Sequence, residues 1–235
     1  DTMTPRTQSL GHRAHQGRNG YGRALEDADD SEQYGITEGE PEYFEGAVAQ
    51  RYAGGYAARG LDAPQPDYPG ASRFVPAHAN NFRVGRRAGA VLDRIVIHIT
   101  AGGPSINGTI AWFQNGDRYN ERTGKYGYSS AHYVVGRDGE VVQMVRNTDT
   151  AYHASSANAR SIGIEHNANK PYRLNHRDLP PTQPQYEASA RLVAWLCAQY
   201  GIPVDREHII GHIEASPRDN HDCPSSYWNW DHYMQ

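Results

Sequence analysis

His98, His212 and Cys223 lie far apart in the chain, yet together they offer two imidazole nitrogens and one sulfur. Two nitrogens and a thiolate make a tetrahedral zinc set with a fourth position open to water. Three protein ligands is the count of a catalytic site, whereas structural zinc sites close with four. Each residue also has a plainer explanation when taken singly. A strand-end histidine is often a hydrogen-bonded core group, and Cys223 has one possible disulfide partner, Cys197.

The elements that must carry these groups follow from hydrophobic periodicity. Residues 94–100 alternate, with Ile95, Ile97 and Ile99 on one face and Val96, His98 and Thr100 on the other. The runs 132–136 and 140–145 flank Arg137-Asp138-Gly139, a hairpin signal. Residues 161–166 read as a strand that puts Gly163 and Glu165 on one face. A helix is expected over 184–200, with Tyr186, Ala190, Val193, Cys197 and Tyr200 as its apolar stripe. Thr182 and Gln185 form a capping-box pattern, and Gly201 and Pro203 end the helix. A strand over 208–211 leads into His212. The stretch 104–128, rich in Gly, Asn and Tyr, reads as a loop over one rim. Strands alternating with helical segments predict an α/β domain, a mixed central sheet flanked by helices.

Composition bounds the rest. The chain has 235 residues, enough for a core plus an extension, and 37% of them are hydrophobic, so part of it contributes little to a core. A net charge of −4 argues against a nucleic-acid partner gripped by bulk positive charge. No apolar run approaches the roughly 18 residues of a membrane span. The start carries no signal-peptide pattern, and its first residue, Asp1, is compatible with processing that removed an export signal. The composition changes near residue 65. Between Arg23 and Arg51 stand nine acids and no Lys or Arg. So polar a stretch cannot bury enough surface to order itself. The expected division is therefore an irregular acidic N-terminal arm, 1–65, and a catalytic domain, 66–235. The arm needs its own domain or a protein partner to order it.

Several short motifs occur in a fixed order: Ile95-Val96-Ile97-His98-Ile99-Thr100, Ser130-Ala131-His132-Tyr133-Val134-Val135, Asp138-Gly139 with Gln143, Ala151-Tyr152-His153-Ala154, Ser161-Ile162-Gly163-Ile164-Glu165, Gly211-His212 and Asp222-Cys223-Pro224. Together they resemble the zinc N-acetylmuramoyl-L-alanine amidases of the type-2 family, kin to peptidoglycan recognition proteins and phage lysozyme-type amidases. The resemblance spans roughly residues 66–235 and leaves out the arm. It implies a peptidoglycan hydrolase that cuts the amide between N-acetylmuramic acid and L-alanine, using Zn2+ and acting on wall or muropeptides. Such an enzyme would be secreted to the cell wall or associated with a phage as an endolysin. The same resemblance leaves two alternatives, a non-catalytic peptidoglycan-binding protein and an amidase subunit of a larger phage or envelope assembly.

Carried over by position, the family's ligands fall on His98, His212 and Cys223, and its acid falls on Glu165. That favours metal over disulfide, since a ligand thiolate cannot also be bridged, and makes Cys197 a small core residue. His153 matches a histidine lining the substrate groove. Tyr152 replaces the more usual Trp and keeps an aromatic surface for a sugar, and Trp112 is a further groove candidate. His132 reads as structural. Two departures bear on mechanism. Ala131 stands where some relatives carry Tyr, which leaves Glu165 as the base. His221 stands where many members carry an oxyanion-stabilising Lys. A protonated imidazole, or a neutral one donating N–H, can play the same part, and because an unperturbed imidazole titrates near about 6.5 the activity is expected to weaken toward alkaline pH.

Overall fold

The computed structural model describes residues 65–86, 89–170 and 178–235. The acidic stretch of the expected arm lies outside the described residues. Among the described residues there are ten strands: β1 (Arg73–Phe74), β2 (Phe82–Arg83), β3 (Arg94–Ile99), β4 (Tyr119–Asn120), β5 (Lys125–Tyr126), β6 (Tyr133–Val135), β7 (Val141–Gln143), β8 (Thr150–Ala151), β9 (Ser161–His166) and β10 (Ile209–Gly211). The helices are α1 (Ile106–Gln114), α2 (Gln183–Tyr200), α3 (His212–Ala215) and α4 (Trp230–Tyr233).

Six strands form the main sheet in the order β1-β7-β6-β9-β3-β10. Only the β6–β7 pair is antiparallel, so the sheet is mixed, as the alternation of elements predicts. That pair is the expected hairpin, and Gly139 takes a φ of 88° at its turn. Interior strand β3 is paired in parallel on both sides, by β9 and β10. Both of its faces are covered. Ile95, Ile97 and Ile99 enter one hydrophobic cluster, while Val96 enters another.

The first cluster is closed by α2. Thr182 accepts from the Gln185 backbone and Gln185 returns a bond to Thr182, so the capping box is formed, and Gly201 ends the helix in a left-handed conformation. The buried stripe is rotated from the expected one. Leu192 and Leu196 are fully buried, with Ala188, Val193 and Cys197 beside them, whereas Tyr200 is exposed. Each buried leucine contributes about 1.5–3 kcal/mol.

The 104–128 stretch is not simply a loop, since it contains α1 and the β4–β5 hairpin. Gly108 and the β-branched Ile106, Thr109 and Ile110 give α1 weak intrinsic propensity, and Ser105 makes no side-chain cap. Packing holds it instead: Ile110 and Phe113 bury against Val134, Val142 and Met144 on the opposite sheet face.

Candidate metal and catalytic site

The site lies at the carboxyl ends of the parallel strands. His98 comes second to last in β3, and its register partner on β9 is Glu165, also second to last. The β10 strand ends at Gly211, which passes directly to His212 at the start of α3. Cys223 is brought back by its carbonyl, which accepts from the Ile213 N–H at 3.1 Å. The close approach needs a glycine: a Cβ on Gly211 would lie 2.6 Å from Pro224 Cδ and 3.2 Å from the Cys223 carbonyl oxygen.

These segments draw ligand atoms of His98, His212 and Cys223 to within 4.8 Å of one another, all three buried. Cys223 Sγ lies 3.7 Å from His98 Nδ1 and accepts from the Ile99 N–H at 3.4 Å. Both cysteines are free thiols, so the disulfide alternative is closed. Cys197 sits in the α2 stripe, as the periodicity suggests.

The far nitrogens of both imidazoles are engaged. His98 Nε2 is 3.0 Å from His153 Nδ1, and His212 Nε2 is 2.9 Å from Asp219 Oδ2. Ser155 Oγ donates to Asp219, lying 2.8 Å from each carboxylate oxygen. Burial pushes the Asp219 carboxyl up, but the hydrogen bonds from His212 and Ser155 outweigh it and hold it below the usual range. Metal sites commonly use such outer partners to orient their ligands.

Electrostatics follow from burial. Glu165 is 6% exposed, its Oε2 has no hydrogen-bond partner among the described residues, and desolvation raises its pKa to about 8. Burial, and then the nearby Glu165, raise the Cys223 thiol well above 9. Burial followed by the neighbouring His212 holds His98 well below 6.5. Each of these groups is more costly to ionise here than in water, and a cation between them would reverse that cost for the carboxylate and the thiol.

Some expected roles change. His153 does not line an open groove: it is 2% exposed and packs edge-on against His98. It fits there because β9 carries Gly163, where a Cβ would lie 2.5 Å from the ring. Trp112 is half-buried against the second cluster, with the Arg118 guanidinium 4.5 Å above its ring, so it packs at the core edge. Tyr152 is half-buried beside His153. His221 does stand at the site, its Nδ1 3.3 Å from His212 Nδ1. Burial, then His212, lower it to about 4, so it is a neutral N–H donor near neutral pH. The expected alkaline weakening from loss of a charged His221 therefore does not follow. His132 is buried; its Nδ1 accepts from the Gly163 N–H at 3.0 Å and its Nε2 faces the Asp149 carbonyl at 3.2 Å, a structural role.

Asp219, Ser155 and Ser161 escape a reading of the sequence, since outer partners have no spacing rule. One signal was present: a glycine within a β-branched strand marks a close approach, and Gly163 is such a glycine.

A mixed α/β sheet that brings two histidines, a free thiol and a buried carboxylate to its carboxyl edge defines a candidate metal and hydrolytic site. The sequence profile of the N-acetylmuramoyl-L-alanine amidase family matches residues 88–226. N-acetylmuramoyl-L-alanine amidase A of Achromobacter lyticus is 29% identical over 181 residues, covering 70% of this chain and 92% of that protein. The 1,6-anhydro-N-acetylmuramyl-L-alanine amidase AmpD of Haemophilus influenzae is 28% identical over 113 residues, 45% of this chain and 56% of that protein. Among solved structures, a selenomethionine AmpD derivative aligns with a TM-score of 0.55 at 23% identity, covering 74% of this chain and 97% of that one. AmiD of E. coli, in complex with anhydro-N-acetylmuramic acid-L-Ala-D-gamma-Glu-L-Lys, aligns with a TM-score of 0.50 at 21% identity, covering 64% and 60%. These structural likenesses speak to the fold. The chain belongs to the N-acetylmuramoyl-L-alanine amidase family. It is a peptidoglycan hydrolase, and the bond it cleaves is the amide joining N-acetylmuramic acid to L-alanine.

Proposed function

We propose that this amidase works with a zinc ion held by His98, His212 and Cys223, and with Glu165 as general base and then general acid. The observation carrying this reading is the convergence of three buried ligand atoms within 4.8 Å beside a buried carboxylate. The donor set fits zinc, being two nitrogens and a sulfur that is not tied up in a disulfide. A carboxylate oxygen buried without a partner also fits a site that receives a cation and a polar substrate.

When bound, zinc supplies a Lewis acid that polarises the amide carbonyl and brings the pKa of water down toward about 7. The protein does the rest. The Glu165 carboxylate takes a proton from the attacking water. It then returns that proton to the departing L-alanine nitrogen, which frees the stem peptide. His221, held neutral, donates an N–H to the oxyanion that develops on the lactyl carbonyl. Tyr152 is the aromatic group we assign to the sugar face. Residues 66–235 form the catalytic domain. With intact wall as the substrate, the site of action is extracytoplasmic, on the owner's wall or on that of a phage host.

Product analysis of purified sacculi tests this. Stem peptides should appear with a free L-alanine amino group and without new reducing ends. Release should stop with a chelator and return with zinc. Release that persists in thoroughly zinc-depleted protein would overturn the zinc reading, and binding without release would leave a non-catalytic receptor.

A further inference from the structure

We infer that one short segment, His153 to Ser155, positions both histidine ligands from behind, His153 fixing the tautomer of His98 and Ser155 holding Asp219 against His212. The inference rests on the zinc reading above and gives the segment a role distinct from groove lining.

Proton accounting on the His98 side starts at Ser161. Its hydroxyl has one proton, and the Ala157 carbonyl, an acceptor only, lies 2.7 Å away and takes it. Toward His153 Nε2, at 3.2 Å, Ser161 Oγ can then only accept, so Nε2 carries a hydrogen. Among the described residues the ring's partners are His98 and Ser161, with no carboxylate hydrogen-bonded to it, and the ring is buried, so it stays neutral and its Nδ1 is bare. A bare Nδ1 at 3.0 Å requires His98 to donate through Nε2. The proton of His98 is thereby placed at Nε2, and its lone pair sits at Nδ1, the atom that faces Cys223 Sγ. The opposite tautomer would put two lone pairs against each other and a hydrogen where the metal must bind.

The His212 side reaches the same result by a different partner. Asp219 already receives the Ser155 hydroxyl on its two oxygens and acts as the acceptor here, so His212 Nε2 carries its hydrogen and Nδ1 is bare. Ser155 bonds both oxygens of that carboxylate and thereby fixes its plane. To do so Ser155 adopts a φ of +40°, a left-handed backbone that residues with a Cβ rarely take. Ala154, between them, turns the chain while Asn158 Oδ1 accepts from the backbone N–H of His153 and of Ala154, at 3.0 and 2.7 Å. The two ligands are thus braced by unlike groups on one segment, a neutral imidazole for His98 and a carboxylate for His212.

Imidazole 15N–1H NMR of the metal-free full chain reads the tautomers directly. His98, His153 and His212 should all appear as the Nε2–H form; a His98 protonated at Nδ1 overturns the inference. Zinc affinity, by competition with a chromophoric chelator, supplies the second arm. His153→Leu should lose about 10–100-fold, the usual cost of removing an outer partner. His153→Gln, whose carbonyl can accept from His98 Nε2, should recover most of that loss. Equal affinities for the Leu and Gln variants, in protein with native circular dichroism, would also overturn it. Wild-type protein that takes up no zinc would sink the metal reading instead, while the NMR tautomers still decide this one.

Discussion

His98 and Glu165 are direct register partners in the parallel ladder between β3 and β9, one turn of pleat from the carboxyl ends of both strands. Side chains at partnered positions of neighbouring strands share a face. The sheet therefore delivers the proposed metal ligand and the proposed proton acceptor to one spot, with their spacing fixed by backbone hydrogen bonds and not by loops. This pairing makes Glu165→Gln an informative substitution. It keeps the volume and removes the base, so zinc content should hold while kcat falls by about 10²–10⁴. Zinc analysis beside stem-peptide release checks both halves, and a variant retaining near-normal turnover would remove Glu165 from the mechanism.

The same carboxylate makes the metal-free fold sensitive to alkali. Its folded pKa is raised by burial, from 4.5 to about 8. The unfolded chain releases this proton first, so stability is complete below about pH 4.5 and falls as pH rises through 8. The loss is at most on the order of 4–5 kcal/mol. Denaturant melts of chelator-treated protein should show it across that window. Glu165→Gln should flatten the slope, and zinc should shrink it in the wild type by favouring the carboxylate.

Cys223 and Cys197 should separate cleanly. The Cys223 thiol is raised well above 9 by burial, so it is protonated in metal-free protein at neutral pH. Zinc must displace that proton, and apparent zinc affinity should therefore rise with pH. Cys223→Ser should lose zinc and activity together. Cys197→Ala should keep both, because its sulfur only fills the α2 stripe. Two reactive thiols should titrate per denatured, unreduced chain; finding none would mean a disulfide and no such metal site.

How far the site could be read in advance depended on whether a local rule governed each residue. Alternation gave β3 and β9, the Arg137-Asp138-Gly139 turn gave the β6–β7 hairpin, and Thr182 with Gln185 gave the start of α2, because each is written in neighbouring residues. The proposed ligands stood out by residue type, and motif order strengthened that reading. Helix α1 stayed hidden since its residues favour no helix, and only burial of Ile110 and Phe113 makes one. The depth of His153 and the charge of His221 were not legible for a related reason. Groove and core, or charged and neutral, are decided by depth, and depth is a property of the whole sheet.

Gly163 offers the sharpest test of that depth. A Cβ there would approach His153 Cγ at 2.5 Å and Nδ1 at 2.6 Å, distances that force the ring to move. The ring has little room, being closed in by His98, His132 and Ser161. Gly163→Ala should therefore cost about 1–3 kcal/mol in the metal-free protein, the usual range for overpacking a buried site. It should also push His153 off His98 Nε2 and weaken zinc binding, although residue 163 is not itself a proposed ligand. Adding His153→Gln to Gly163→Ala should cost less than the sum of the two single effects, since a flexible side chain can yield where a ring cannot. Additive losses in a double-mutant cycle on zinc affinity would show that Gly163 and His153 act independently and that the glycine is there for the backbone alone.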